Sequence, residues 1–127
     1  MALPAGQILV HLTGRRRRVV DAGAIYCLEA QGDETDVRLR ASTLRDVRSL
    51  GELLRDLAPL GFVRIHRNHA VNACRVREIR PADSGSGWEV ALAPPVNKVL
   101  AVSRRSLRSL LGSYAPARRA RARKRAS

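Results

Sequence analysis

Aromatic side chains are almost missing from this sequence of 127 residues: it holds one Phe (Phe62), one Trp (Trp88) and two Tyr (Tyr26 and Tyr114). That leaves too few rings for a surface that grips single-stranded nucleic acid by stacking its bases. It also makes for a modest core, built on Leu, Val and Ala, sufficient for one domain. Cysteine is scarce as well. Cys27 and Cys74 are too few for a disulfide framework, and in a reducing compartment both stay thiols. No uninterrupted apolar stretch is long enough to span a bilayer. Residues 1–6 lack the basic start and apolar run of a signal peptide, so a cytoplasmic location is expected. A glycine-rich loop of the kind that cradles phosphates is absent too.

Arginine is abundant. The formal net charge is +13, and lysine stands only at Lys98 and Lys124. Arginine offers a planar fork that holds phosphate and can clamp guanine with two hydrogen bonds, so the balance points to a polyanion as partner. Codon bias also yields chains rich in Ala and Arg, and composition has to be read together with where the arginines fall.

Along the chain, residues 7–12 alternate as a first strand, Thr13-Gly14 makes a turn, and 15–20 run back. Residues 24–30 form an apolar strand, 31–34 a polar turn, and 37–41 a strand with Val37, Leu39 and Ala41 on one face; 43–47 add a short strand. A helix is expected over 49–60. Ser49 and Glu52 form a capping box, Leu50, Leu53, Leu54 and Leu57 an apolar stripe, and Pro59 and Gly61 the stop. Residues 62–66 return to a strand, 67–73 read as polar and irregular, and 76–79, 88–93 and 99–102 read as further strands. Ser103 caps a last helix carrying Leu107, Leu110 and Leu111. The fold class expected is mainly β, with one or two short helices. Residues 1–6 form a short extension, 7–114 the folded domain, and 115–127 a basic tail with six positive charges and no apolar pattern.

Two motifs stand out at strand ends. Gly61-Phe62-Val63-Arg64-Ile65-His66-Arg67-Asn68-His69-Ala70-Val71-Asn72 resembles the signature of LytTR DNA-binding domains, roughly F-x-R-x-H-R-S/N-aromatic-x-V-N. Leu100-Ala101-Val102-Ser103-Arg104-Arg105 resembles that family's second signature, an apolar strand ending in V-S-R, and Ile25-Tyr26-Cys27-Leu28-Glu29-Ala30 is similar to its strand with an acidic and a small residue at the end. The resemblance covers residues 7–111. It implies an elongated arrangement of small antiparallel sheets with helices at the side, and DNA contacted by strand-end loops in successive major grooves of a bent duplex. Residue by residue, it implies base contacts from Arg67, Arg104 and Thr35, the last in the loop 31–36. His66, Asn68, His69, Arg64, Ser103 and Arg105 would then contact the DNA backbone or shape the turns. The sequence departs from the pattern at His69, where an aromatic residue is common, and in the carboxylates Asp33, Glu34 and Asp36, which would repel phosphates.

The residues support this in physical terms. Affinity comes from Arg–phosphate contacts that release counterions, and specificity from a few side chains at base edges. Arg67 and Arg104 each sit where a strand stops, so a long side chain starts from a fixed point. Each can bind guanine O6 and N7, worth about 1–3 kcal/mol against the wrong base. Asn68 suits adenine or a phosphate. His66 either meets a phosphate or fixes the turn, and Arg64 either reaches phosphate or is solvated. Asn72 reads as a side chain capping backbone groups. In the run from Arg15 to Arg18, alternation sends two to each face, and charges that protect an edge strand account for it.

Catalysis is not expected. His66, His69 and Cys74 do not have a zinc spacing. A nuclease of the HNH kind would need a further helix after His69, and Ser103 lacks a His and Asp. No cofactor and no small-molecule substrate is expected. The partners expected are double-stranded DNA bearing paired repeats, a second copy of the chain on that DNA, and a regulatory protein. In most relatives this domain follows a receiver domain, for which the residues before the first strand leave no room; the chain is then a stand-alone regulator or a fragment. The alternative reading is a small basic RNA- or ribosome-associated protein, which explains the charge but not the two strand-end arginine motifs.

Overall fold

Alternation of apolar and polar residues sets most of the strands, and ten of them appear in the computed structural model, which describes residues 6–114. The basic tail expected over 115–127 and the first five residues of the extension lie outside the described residues. In chain order the strands are β1 (Gln7–His11), β2 (Arg17–Asp21), β3 (Cys27–Gln31), β4 (Glu34–Arg38), β5 (Thr43–Asp46), β6 (Phe62–His66), β7 (His69–Asn72), β8 (Val76–Pro81), β9 (Trp88–Leu92) and β10 (Val99–Val102). Two helices, α1 (Leu50–Leu57) and α2 (Arg104–Gly112), complete it. They form three antiparallel sheets: β1-β2, β5-β4-β3-β7-β6 and β10-β9-β8. This is the mainly β class expected.

The five-stranded sheet is covered on both faces. Leu28, Val37, Phe62 and Ala70 pack on one side with Val10, Val20 and α1 residues Leu53 and Leu57. Cys27, Ile65 and Val71 point the other way, onto Val90, Leu92 and Leu100 of the third sheet and Leu110 of α2. Each fully buried Leu or Ile contributes about 1.5–3 kcal/mol. Burial on two faces explains why residues 67–73 were not legible as a strand. Ala70, Val71 and Asn72 are consecutively buried in β7, and a strand with no solvent face has no alternation to read.

Helix α1 starts as the capping box requires: the Ser49 hydroxyl accepts from Glu52 N at 3.3 Å and the Glu52 carboxylate accepts from Ser49 N at 3.2 Å. It stops earlier than expected. Ala58–Leu60 is a single 3-10 turn, because Pro59 has no N–H for a further helical bond, and Gly61 at φ 97° reverses the chain.

The strand expected over 37–41 also moves, to Glu34–Arg38. Its alternation begins two residues earlier, so Thr35 shares the inward face with Val37 while Glu34 and Asp36 point outward. Among the described residues no helix is long and apolar enough to cross a membrane.

Candidate nucleic-acid interface

The two-residue turn between β6 and β7 carries Arg67 and Asn68. A register shift between Arg64 and His66 puts a bulge just before it, which re-aims the strand end. Three contacts then hold the turn. The Arg64 guanidinium donates to the carbonyl of Arg67 at 2.7 Å, Asn68 N donates to His66 Nδ1 at 3.3 Å, and Ala30 N donates to the carbonyl of Asn68 at 2.8 Å. Arg64 therefore braces the backbone that carries Arg67, and His66 accepts a turn N–H. Arg67 itself is exposed.

The second motif lies beside the first. Ser103 N donates to the carbonyl of Ile65 at 2.8 Å, tying the end of β10 to the end of β6. The Ser103 hydroxyl accepts from Ser106 N at 3.1 Å and caps α2. Arg104 and Arg105 are exposed in the first helical turn. Backbone N–H groups at a helix start already favour an anion, and here two guanidiniums join them. Arg64, His66, Arg67, Ser103, Arg105 and Ser106 line a groove of about 400 Å³. None of these side chains is acidic.

Thr35 does not belong to this surface, and the role implied for it is corrected. Its side chain is fully buried and its hydroxyl donates to the carbonyl of Arg48 at 2.9 Å, because β4 begins at Glu34 and directs Thr35 inward. The neighbouring acids are also less repulsive than the sequence suggests. Arg45 of β5 lies opposite Asp36 and pairs with Asp36 at 2.5 Å and Glu34 at 3.4 Å. Sequence reasoning missed Arg45; the signal was a cross-strand partner of opposite charge, visible only once the register is known.

His69 faces the interior edge of the turn. Its ring centroid is 5.5 Å from that of His66, and its Nδ1 is buried with no hydrogen-bond partner among the described residues. Burial lowers its pKa, the charges of His66 and Lys98 lower it further, and Glu29 opposes them; Glu29 is itself paired with Lys98. Asn72 is structural as expected: it is buried, its Nδ2 donates to the carbonyls of Ala22 and Ile25, and its Oδ1 accepts from Cys74 N. Cys27 is a buried thiol that burial pushes up to about 11. Among the described residues no group of three or more His, Cys, Asp or Glu is arranged to hold a metal ion.

Comparison with known proteins agrees with this arrangement. A sequence model of the LytTR DNA-binding domain matches residues 15–113. Among solved structures, the LytTR DNA-binding domain of a Bacillus cereus protein described as a methyl-accepting/DNA response regulator superposes with a TM-score of 0.68. It is 25% identical, and the match covers 86% of this chain and 99% of the other. No curated protein matches the sequence. A family match over most of the chain, on three antiparallel sheets with the arginine motifs after β6 and β10, assigns this protein to the LytTR DNA-binding domain family.

Proposed function

We propose that the domain recognises a specific double-stranded DNA sequence and regulates transcription from it, with Arg67 and Arg104 as the base-reading side chains in neighbouring major grooves. The observation that carries this reading is the bond from Ser103 N to the Ile65 carbonyl. It couples two strand ends beside a groove lined by Arg67 and Arg105 and free of carboxylates, with Arg104 exposed next to it in the chain but outside that lining. Arg67 and Arg104 both start from braced backbone, one held by Arg64 and the other by a capped helix turn. A braced start lowers the entropy lost when a long side chain is fixed at a base edge. Asn68 and Arg105 flank them at the same rim, and His66, His69, Arg64 and Ser103 support the turns. Recognition of paired repeats about one helical turn apart by two copies of the chain follows from the family's habit and from the small footprint of one domain.

The test is competition. A duplex carrying the preferred sequence, found by selection, is bound by the full chain in the presence of excess random duplex or excess RNA. The expected result is a complex that survives both competitors. Loss of the complex to random duplex, or preferential loss to RNA, contradicts the reading and favours a general polyanion binder.

A further inference from the structure

The four arginines from Arg15 to Arg18 lie outside the surface described so far, and all four are exposed. None of them forms an ion pair among the described residues. Protection of an edge strand accounts for Arg17 and Arg18, which lie in β2, a strand paired only with β1. It does not account for Arg15 and Arg16, which precede the strand in the β1–β2 turn. Arg15 also sits at φ 61°, directly after Gly14 at φ 70°. An L-residue adopts that left-handed region at an energetic cost that glycine avoids, so the turn spends stability to present a charged side chain. Arg17 braces it: its guanidinium donates to the carbonyl of Arg15 at 3.2 Å, as Arg64 does to the carbonyl of Arg67.

The position of this turn can be traced across the sheets. His11, the last residue of β1, accepts from Val47 N at 2.9 Å and donates its own N–H to Asp46 at 3.0 Å. Asp46 lies opposite Thr35, Thr35 lies opposite Ala30, and Ala30 N donates to the carbonyl of Asn68. One rim thus runs from the β1–β2 hairpin through β5, β4 and β3 to the turn that carries Arg67. At about 4.8 Å per strand the span from His11 to Asn68 is roughly 20 Å, or about six base pairs of duplex at 3.4 Å each.

From this, and resting on the proposed DNA reading, we infer that the Arg15–Arg16 turn is a further DNA contact that holds backbone phosphates about half a helical turn to one side of the base-reading arginines. Its partner is the phosphate chain and not a base. Arg15 and Arg16 are two cations without an ion pair among the described residues, on an exposed turn, which suits a phosphate ridge better than a groove floor. The contact raises affinity equally for all sequences and leaves discrimination to Arg67 and Arg104.

The test uses the full chain and the double variant R15G/R16Q. It removes both charges while glycine relaxes the left-handed position, so the hairpin keeps its fold. Affinities for the selected duplex and for a random duplex are measured by fluorescence anisotropy from 50 to 200 mM salt. The slope of log K against log salt is expected to fall by about two, close to 0.9 per phosphate contact. Over that range the wild type then loses about tenfold more affinity than the variant. The ratio of target to random binding is expected to stay unchanged. Trimming the duplex on the flank beside the turn should bring the wild type to the variant's affinity. The control R18Q, which leaves the Arg17 brace in place, should keep the wild-type slope. Equal slopes for wild type and R15G/R16Q overturn the inference, and so does a loss confined to the target duplex. Failure of the wild type itself to prefer the target is a separate result: it overturns the sequence-reading function and the flank position that depends on it.

Discussion

Asp46 has no exposed surface, yet it carries a charge at the junction of β1, β5 and α1. Burial opposes its ionisation, but hydrogen bonds from the Arg48 side chain and backbone and from His11 N outweigh burial and hold its pKa below the usual carboxylate range. Arg48 in turn reaches Asp56 of α1 at 2.8 Å and the carbonyl of Leu9 at 2.9 Å. Asp46→Ala leaves Arg48 half-buried with its main partner gone and is expected to cost about 3 kcal/mol in urea unfolding. The sign with pH follows from the depressed folded pKa. The unfolded Asp titrates near about 3.9, so the contribution is complete above that value and is lost as pH falls through the lower folded one. The gap between wild type and Asp46→Ala should therefore narrow in acid; a gap that stays constant down to pH 2 contradicts this role. His69 behaves in the opposite chemical sense with the same direction in pH. Its neutral form is favoured in the fold, so its contribution is complete above about pH 6.5 and is lost as pH falls. His69→Phe removes the unpartnered Nδ1 and is expected to stabilise by about 1 kcal/mol at pH 7. It should also flatten thermal stability between pH 7 and 5, with His11, lowered mainly by burial and Arg48, leaving a residual slope. Neither residue's energetic role was legible in the sequence, because both depend on burial that only the fold creates; Arg48, two residues from Asp46, is a local partner, but nothing local shows that the pair is covered by β1 and α1. Thr35 failed for a nearer reason: whether it lay in a loop or in the strand depended on where β4 begins, and once the strand includes it, the two-residue period puts it on the inward face with Val37.

At the level of elements, the helix starts were the most legible features. Ser49 with Glu52 and Ser103 before Arg104 are local chemistry, and both caps form as read. The end of α1 was less so, since a 3-10 turn and an α-helical turn share the same apolar spacing over three residues. Helix α2 ties stability to the site, because its cap shapes the turn that holds Arg104. Ser103→Ala is expected to lower stability by about 1 kcal/mol and, by fraying that turn, to weaken binding of the target duplex more than binding of random duplex. A loss in melting temperature with no change in the target-to-random ratio would show that the cap supports the fold alone. Strand β7 marks the limit of pattern reading in the other direction. His69 and Asn72 look like loop residues, and only the covering of both sheet faces makes a strand of them.

For the whole molecule, the central sheet acts as a frame whose one end gathers the turns between β1 and β2, β3 and β4, β6 and β7, and the start of α2. The gathering was not readable from spacing, because it depends on the strand order β5-β4-β3-β7-β6, which brings β3 beside β7. What the sequence did carry was the pair of arginine motifs, each at the end of an apolar strand. The frame ties the two strand ends together through the Ile65–Ser103 bond. The most direct test is selection of bound sequences from a random duplex pool by the wild type, Arg67→Ala and Arg104→Ala, with circular dichroism to establish that each folds. The wild type is expected to yield one motif, and each variant to lose preference, by about 1–3 kcal/mol, at a different position within it. Three indistinguishable, unpatterned pools, or losses at the same position in both variants, would contradict the claim that two separately braced guanidiniums read separate bases.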